Sequence, residues 1–287
     1  MIVENLDSSV NDGFLTQDDK TFAMYKKKAE QGHADAQYYL GVLYANGKGI
    51  AQDDNQAVAW YRKAAGQGLP EAQYALGLRY AQGRGVPHNH EQAADWFRKA
   101  AGQGHPQAQS ELGILYAHGT GVPLDKEQAL ALFKKAADQG QAEAQFNLGT
   151  MYAKGEELPL DDSQAIALFT KAAEQGQAEA QYTLGLRYSQ GLGVTQSYRQ
   201  AAEWYRKAAE QGYALAQLNL GVLYANGDGV PQSDINAYAW SSLAAAQGKE
   251  SAATNRDAIA EELTTEQRSQ AQAMSAELQA KIDNNRH

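Results

Sequence analysis

A chain of 287 residues with 34 acidic against 25 basic side chains carries a formal net charge of −9 and no cysteine. That balance argues against a surface that tracks a phosphate backbone or an anionic membrane. The missing thiols exclude a disulfide framework, a thiolate metal site and a cysteine nucleophile. No apolar run approaches the roughly 18 residues of a membrane span. The opening Met1-Ile2-Val3-Glu4-Asn5-Leu6-Asp7 lacks the basic and apolar regions of a signal peptide. As written, the sequence reads as cytoplasmic, or periplasmic if a leader was trimmed.

Residues 1–17 are polar and aperiodic, which predicts a loose lead-in. Asp18 to Gln31 reads as a helix. Its stretch Met24–Gly32 aligns with Trp60–Gly68 one period later, so residues 18–32 form a half repeat. Six full repeats then occupy residues 33–248. Leu-Gly returns at Leu40-Gly41, Leu76-Gly77, Leu112-Gly113, Leu148-Gly149, Leu184-Gly185 and Leu220-Gly221, always 36 residues apart. A fixed period in this range is the signature of a solenoid.

Each repeat predicts two helices. In the first, Ala36, Leu40 and Tyr44 fall at i, i+4 and i+8, one face of a helix. A mid-helix glycine costs about 0.5–1 kcal/mol relative to alanine, so the return of Gly41 in every copy predicts a close approach by a neighbouring helix. The turn Gly47-Lys48-Gly49 suits a left-handed C-cap. In the fourth copy Glu157 replaces the second glycine, and a turn of locally different shape is expected there.

The second helix is predicted to start near Asp53-Asp54, Asp125, Asp161-Asp162 or Asp234, whose side chains suit an N-cap. It carries Trp60, Tyr61, Ala64 and Ala65 and stops at Gly68. The Trp60 position recurs as Trp96, Trp204 and Trp240, and as leucine at Leu132 and Leu168. Two such helices cannot bury their apolar faces alone, and stacking on neighbours does so. After Gly248 the period is lost. Residues 249–287 predict a helical cap and tail, with a helix at about 250–262, a capping box at Thr264 and Gln267, and apolar spacing at Met274, Leu278 and Ile282.

The pattern Ala-x-x-x-Leu-Gly-x-x-Tyr-x-x-Gly-x-Gly-Val, closed by Trp-x-x-Lys-Ala-Ala-x-x-Gly, resembles the Sel1-like repeat, a relative of the tetratricopeptide repeat. The resemblance covers roughly residues 20–248, and 249–283 is similar to the cap common after bacterial Sel1 arrays. It implies an all-α fold, a right-handed α/α superhelical solenoid whose first helices line a concave groove. It also implies scaffold or adaptor roles in bacterial assembly and signalling, and no conserved catalysis or cofactor.

In the tetratricopeptide relatives the groove-facing arc corresponds to positions 35, 38, 39, 42, 45 and 46. Column 38 supplies Tyr38, Tyr74, Phe146 and Tyr182 as aromatic anchors for an extended or helical peptide. The other reading of these rings is gap-filling between adjacent first helices. Column 39 supplies Tyr39, Asn147 and Asn219, the asparagines resembling contacts to a ligand main chain. His118 belongs to column 46, at the groove rim or simply at a helix end. Arg79 and Arg187 could fork onto a carboxylate or phosphate, or pair with a nearby glutamate. The constant Gln37, Gln73, Gln109, Gln145, Gln181 and Gln217 predict bonds to the neighbouring repeat.

No nucleotide loop, zinc-protease or serine-hydrolase motif occurs. His88-Asn89-His90 reads as a solvated loop rather than a metal site. The expectation is therefore a non-enzymatic scaffold that binds a protein or peptide, without nucleic acid or membrane insertion. It is expected to be monomeric, with self-association through a terminal repeat as the variant. The competing expectation is a cell-wall or polysaccharide-associated regulator or enzyme with a glycan in the groove.

Overall fold

The computed structural model describes residues 17–155 and 157–285. The expected lead-in falls outside them except for Gln17, which opens the first helix. Among the described residues every regular element is an α-helix, and the chain forms two compact units that part between Ala136 and Ala137.

The first unit holds α1 (Gln17–Glu30), α2 (Ala34–Asn46), α3 (Asp54–Gly66), α4 (Pro70–Gln82), α5 (His90–Gly102), α6 (Pro106–His118) and most of α7 (Lys126–Asp138). The second holds α8 (Ala142–Lys154), α9 (Asp162–Glu174), α10 (Ala178–Gln190), α11 (Tyr198–Glu210), α12 (Ala214–Asn226), α13 (Asp234–Ala246), α14 (Glu250–Glu262) and α15 (Thr265–Asn285). Within a repeat the two helices pack as a hairpin, and the second helix then packs on the next first helix, as α3 does on α4 and α11 on α12.

The close approach predicted at Gly41 is made by the second helix of the same repeat. A Cβ at Gly41 would lie 2.6 Å from the Tyr61 ring, and one at Gly77 would lie 2.6 Å from the Phe97 ring. The same ring meets Gly149 as Phe169 and Gly185 as Tyr205. These rings and the alanines beside them are the core: Ala57, Tyr61, Ala64 and Leu76 in the first unit, Ala201, Tyr205, Ala208 and Leu220 in the second, all nearly closed to solvent.

First helices end on left-handed glycines, as at Gly47 with φ 67°. At the fourth turn the expectation of a different shape is corrected. Glu157 itself adopts φ 56°, the left-handed backbone of its glycine counterparts, at a cost in local strain. Second helices start on side-chain caps: Asp53 accepts from the Asn55 and Gln56 amides, and Asp161 from Gln164. In the last repeat the cap is Ser233 rather than Asp234, and Asn89 and Ser197 cap α5 and α11. The His88-Asn89-His90 stretch is thus a capping turn, with its two imidazoles edge to face at 4.2 Å.

The constant glutamines do bridge repeats. Gln37 donates to the Ala29 carbonyl of the preceding helix and accepts from Gln67 of the following one, at 3.1 and 2.7 Å. Gln181 repeats the arrangement with Ala173 and Gln211. Each is buried, so the amide meets both neighbours' polar groups where water cannot.

The period that fades from the sequence after Gly248 survives in the backbone. Glu250, the first residue of α14, lies 36 positions after Ala214, the first residue of α12. Thr264 and Gln267 form the expected reciprocal capping box. From there α15 packs on α13, and its Leu278 and Ile282 join the cluster around Trp240. Trp240 is consequently buried. Its counterparts Trp60, Trp96 and Trp204 stay half-exposed, each under the ammonium of Lys63, Lys99 or Lys207 at 3.7 to 4.1 Å.

Candidate partner-binding surface

In the first unit the first helices present tyrosines that rest on rings of the second helices. Tyr38 is half-buried, with its ring 5.8 Å from Tyr61 and 5.4 Å from Tyr39. Tyr39 is exposed and leans on Tyr25 of α1 at 5.1 Å. Tyr74 lies between Phe97 at 5.8 Å and His105 at 4.8 Å. Burial pushes the Tyr38 hydroxyl above its ordinary range, with Glu71 adding to the effect. Tyr38 and Tyr74 are partly packing and partly surface: each is half-buried against neighbouring rings.

Arg79 is engaged within the fold. Its guanidinium donates to Asp54 at 2.8 Å, and Arg84 reaches the same carboxylate at 3.3 Å. The partner is an aspartate on the preceding repeat's second helix, not a nearby glutamate. His118 is exposed at the end of α6, with Nδ1 2.9 Å from the Ile114 carbonyl of its own helix, a helix-end contact.

In the second unit Phe146 packs on Phe169 at 5.5 Å. Asn147 is half-buried, and its Nδ2 has no hydrogen-bond partner among the described residues. Arg187 repeats the Arg79 geometry, donating to Asp162 at 2.5 Å. Tyr182 rests on Tyr205 at 5.9 Å and on Tyr213 at 5.1 Å. The Tyr205 hydroxyl lies 3.3 Å from Ser189 Oγ, with Asn219 near both phenols. Burial raises both phenols, and the Asn219 contact pulls them back in part.

Tyr182 and Asn219 are therefore brought together, and Asn219 also lines an open cleft of about 390 Å³ between α10 and α12. Ser189, Tyr198, Tyr205, Asn226 and Asp228 line it too. Of these, the sequence marks only Asn226, as a member of column 46. Tyr205 reads there as a core aromatic, and Tyr198 is a single exposed residue at a helix start. The readable signal was the 36-residue offset, which sets column 61 of one repeat beside column 39 of the next. Among the described residues no group of three or more His, Asp or Glu is placed to hold a metal ion. No described helix is long and apolar enough to cross a membrane.

Stacked helix hairpins with glycine-closed turns and an aromatic first-helix surface define an α/α repeat solenoid of the tetratricopeptide-like class. The chain belongs to the Sel1 repeat family, whose model matches at 34–69, 70–105, 106–141, 142–177, 178–213 and 214–249. A protective antigen of uropathogenic Escherichia coli strains, displaying an SLR fold, is similar at 39% identity and a TM-score of 0.76 over 89% of this chain. This chain spans 56% of that antigen's length. A Sel1 repeat protein from Oxalobacter formigenes is similar at 33% identity and a TM-score of 0.75, over 80% of this chain and 94% of its own. No curated protein gives a significant match. Sel1 repeat proteins are generally non-catalytic scaffolds that bind protein partners.

Proposed function

We propose that this protein is a scaffold that holds a peptide or protein segment on the first-helix surface of its repeats. The observation that carries this reading is the aromatic column at Tyr38, Tyr74, Phe146 and Tyr182. Each ring packs at a tilt against a second-helix ring and is only half-buried. Anchored aromatics lose little freedom on binding and contribute a large share of interface energy. Family membership supports the same reading. Arg79 and Arg187 pair with Asp54 and Asp162, and His118 contacts its own helix end, so the proposed binding set centres on Tyr38, Tyr39, Tyr74, Phe146, Asn147, Tyr182 and Asn219.

The test is capture from lysate of the source cell by the wild type and by a variant carrying Tyr39→Ala, Tyr182→Ala and Asn219→Ala, with folding checked by circular dichroism. A protein retained by the wild type and lost by the folded variant is expected. Equal capture by both would overturn the surface assignment.

A glycan ligand is the second reading, favoured by the meeting of Tyr198, Tyr205, Asn219, Asn226 and Asp228 in one cleft. That cleft has one carboxylate, bonded by Asn226 at 3.1 Å. Glycoside hydrolysis takes a pair, so this reading is of binding. Retention on immobilised polysaccharide, lost with Tyr198→Ala, would favour it.

A further inference from the structure

The cleft between α12 and α14 is the counterpart, one repeat later, of the cleft between α10 and α12, and a ring is missing from it. In five repeats the position of Tyr61 is aromatic: Tyr61, Phe97, Phe133, Phe169 and Tyr205. In the sixth it is Ser241. In the earlier cleft the Tyr205 ring lies so close over Gly185 that a Cβ there would collide with it. Asn219 lines that cleft beside Tyr205, whose hydroxyl lies 3.3 Å from Ser189 Oγ. Thirty-six residues on, Asn255 keeps the place of Asn219, while Ser241 replaces Tyr205 and Leu218 replaces Tyr182. The asparagine is retained and both phenols are gone.

A cavity of about 200 Å³ opens at that place, lined among others by Gly221, Val222, Ser241, Asn255, Ala258 and Ile259. Ser241 forms its floor, closed to solvent, with an Oγ that has no hydrogen-bond partner among the described residues. An apolar cavity of about 150 Å³ takes up benzene, so a single substituted ring matches this space. The walls are apolar and the polar groups are few, as small-ligand sites generally are.

We propose that this cleft binds a tyrosine side chain of a protein partner, with the ring lying over Ser241 between α12 and α14 and the hydroxyl meeting Asn255. The chain's own fifth repeat is the template for the occupant, since there a tyrosine ring fills the equivalent space and lines one cleft with the matching asparagine, Asn219. The proposal rests on the scaffold reading above and names its anchor. The cleft's affinity for a phenol is nevertheless measurable without any partner.

The experiment is titration calorimetry with saturation-transfer NMR, using p-cresol, toluene and the peptide Gly-Gly-Tyr-Gly-Gly as probes. The full chain is compared as wild type, Ser241→Phe, Ala258→Leu and Asn255→Ala. Ser241→Phe restores the ring of the other repeats. Ala258→Leu narrows the cleft from an exposed position, which keeps the test valid if Ser241→Phe disturbs folding. One p-cresol site is expected in the wild type, weakened by about tenfold or more in Ser241→Phe and Ala258→Leu. Toluene is expected to bind about three- to tenfold more weakly than p-cresol, the size of one net hydrogen bond. That difference should vanish in Asn255→Ala, and the peptide should bind more tightly than p-cresol.

No p-cresol binding to the wild type, or binding undiminished in both filled variants, overturns the site. A peptide that binds no more tightly than p-cresol overturns the assignment to a partner's side chain. A chain that captures a partner through its first-helix tyrosines yet takes no p-cresol would refute this anchor and leave the scaffold standing.

Discussion

Gln247 donates a hydrogen bond of 2.8 Å to Gln217, which in turn donates to the Ala209 carbonyl at 3.1 Å. Three successive helices, α11, α12 and α13, are thus tied through one side chain that is almost wholly buried. Replacing Gln217 with leucine would leave the Ala209 carbonyl and the Gln247 amide without this partner. A loss of about 1–3 kcal/mol is expected, read as a lower urea midpoint. A midpoint within error of wild type would show that the glutamine column is dispensable.

Arg79 and Arg187 hold matching positions, but their aspartates differ in support. Asp54 is shared with Arg84, whereas the residue matching Arg84 in the fifth repeat is Leu192. Arg187→Met should therefore cost about 1–2 kcal/mol, by leaving Asp162 without a cation, and Arg79→Met about half as much. Chemical denaturation of the two variants tests the order. Equal losses, or the reverse order, would refute the argument.

Glu157 occupies left-handed backbone at φ 56°, where the other turns have glycine. A side chain costs roughly 1–2 kcal/mol in that conformation. Glu157→Gly is expected to raise stability by about 1 kcal/mol, even though glycine also gains freedom in the unfolded chain. A calorimetric melting temperature that falls instead would show that the interactions of the glutamate side chain outweigh the backbone strain.

His105 stacks on Tyr74, and its Nδ1 accepts the Ala108 amide at 3.2 Å, capping α6. That acceptor exists only in the neutral imidazole. Burial pushes its pKa below the ordinary 6.5, against a smaller raising influence from Glu71. The unfolded chain then takes up a proton more readily than the folded one as the pH falls. The His105 contribution is complete above about pH 6.5 and is lost as the pH falls through the lower folded value. His105→Asn retains a capping oxygen and cannot titrate, so its stability should fall less between pH 7 and pH 5 than that of the wild type. Parallel curves would refute the assignment.

Much of the fold was legible because its physics is local and repeated. The i, i+4, i+8 spacing of Ala36, Leu40 and Tyr44 gave the first helices. The cost of Gly41 announced a neighbour before that neighbour could be named. What escaped depends on the offset between repeats. Asp54 lies 25 residues from Arg79 and becomes its partner only when one helix pair stacks on the next. The register of α14 is carried by packing on α13 after the side-chain pattern has gone. At the candidate surface, column 38 was legible as aromatic. The division of each ring between core and surface was not, because it depends on the Tyr61-type ring beneath. Tyr205 was hidden for the same reason, since a core aromatic and a cleft wall look alike in sequence.

The four tryptophans divide into two optical populations. Trp60, Trp96 and Trp204 are only half-buried, beneath lysine ammonium groups, while Trp240 is sealed beneath α15. Emission from the first three should be red-shifted and open to a dissolved quencher, and that from Trp240 blue-shifted and shielded. A protein retaining Trp240 alone would signal the detachment of its C-terminal helix as a colour change, separately from the melting of the repeats.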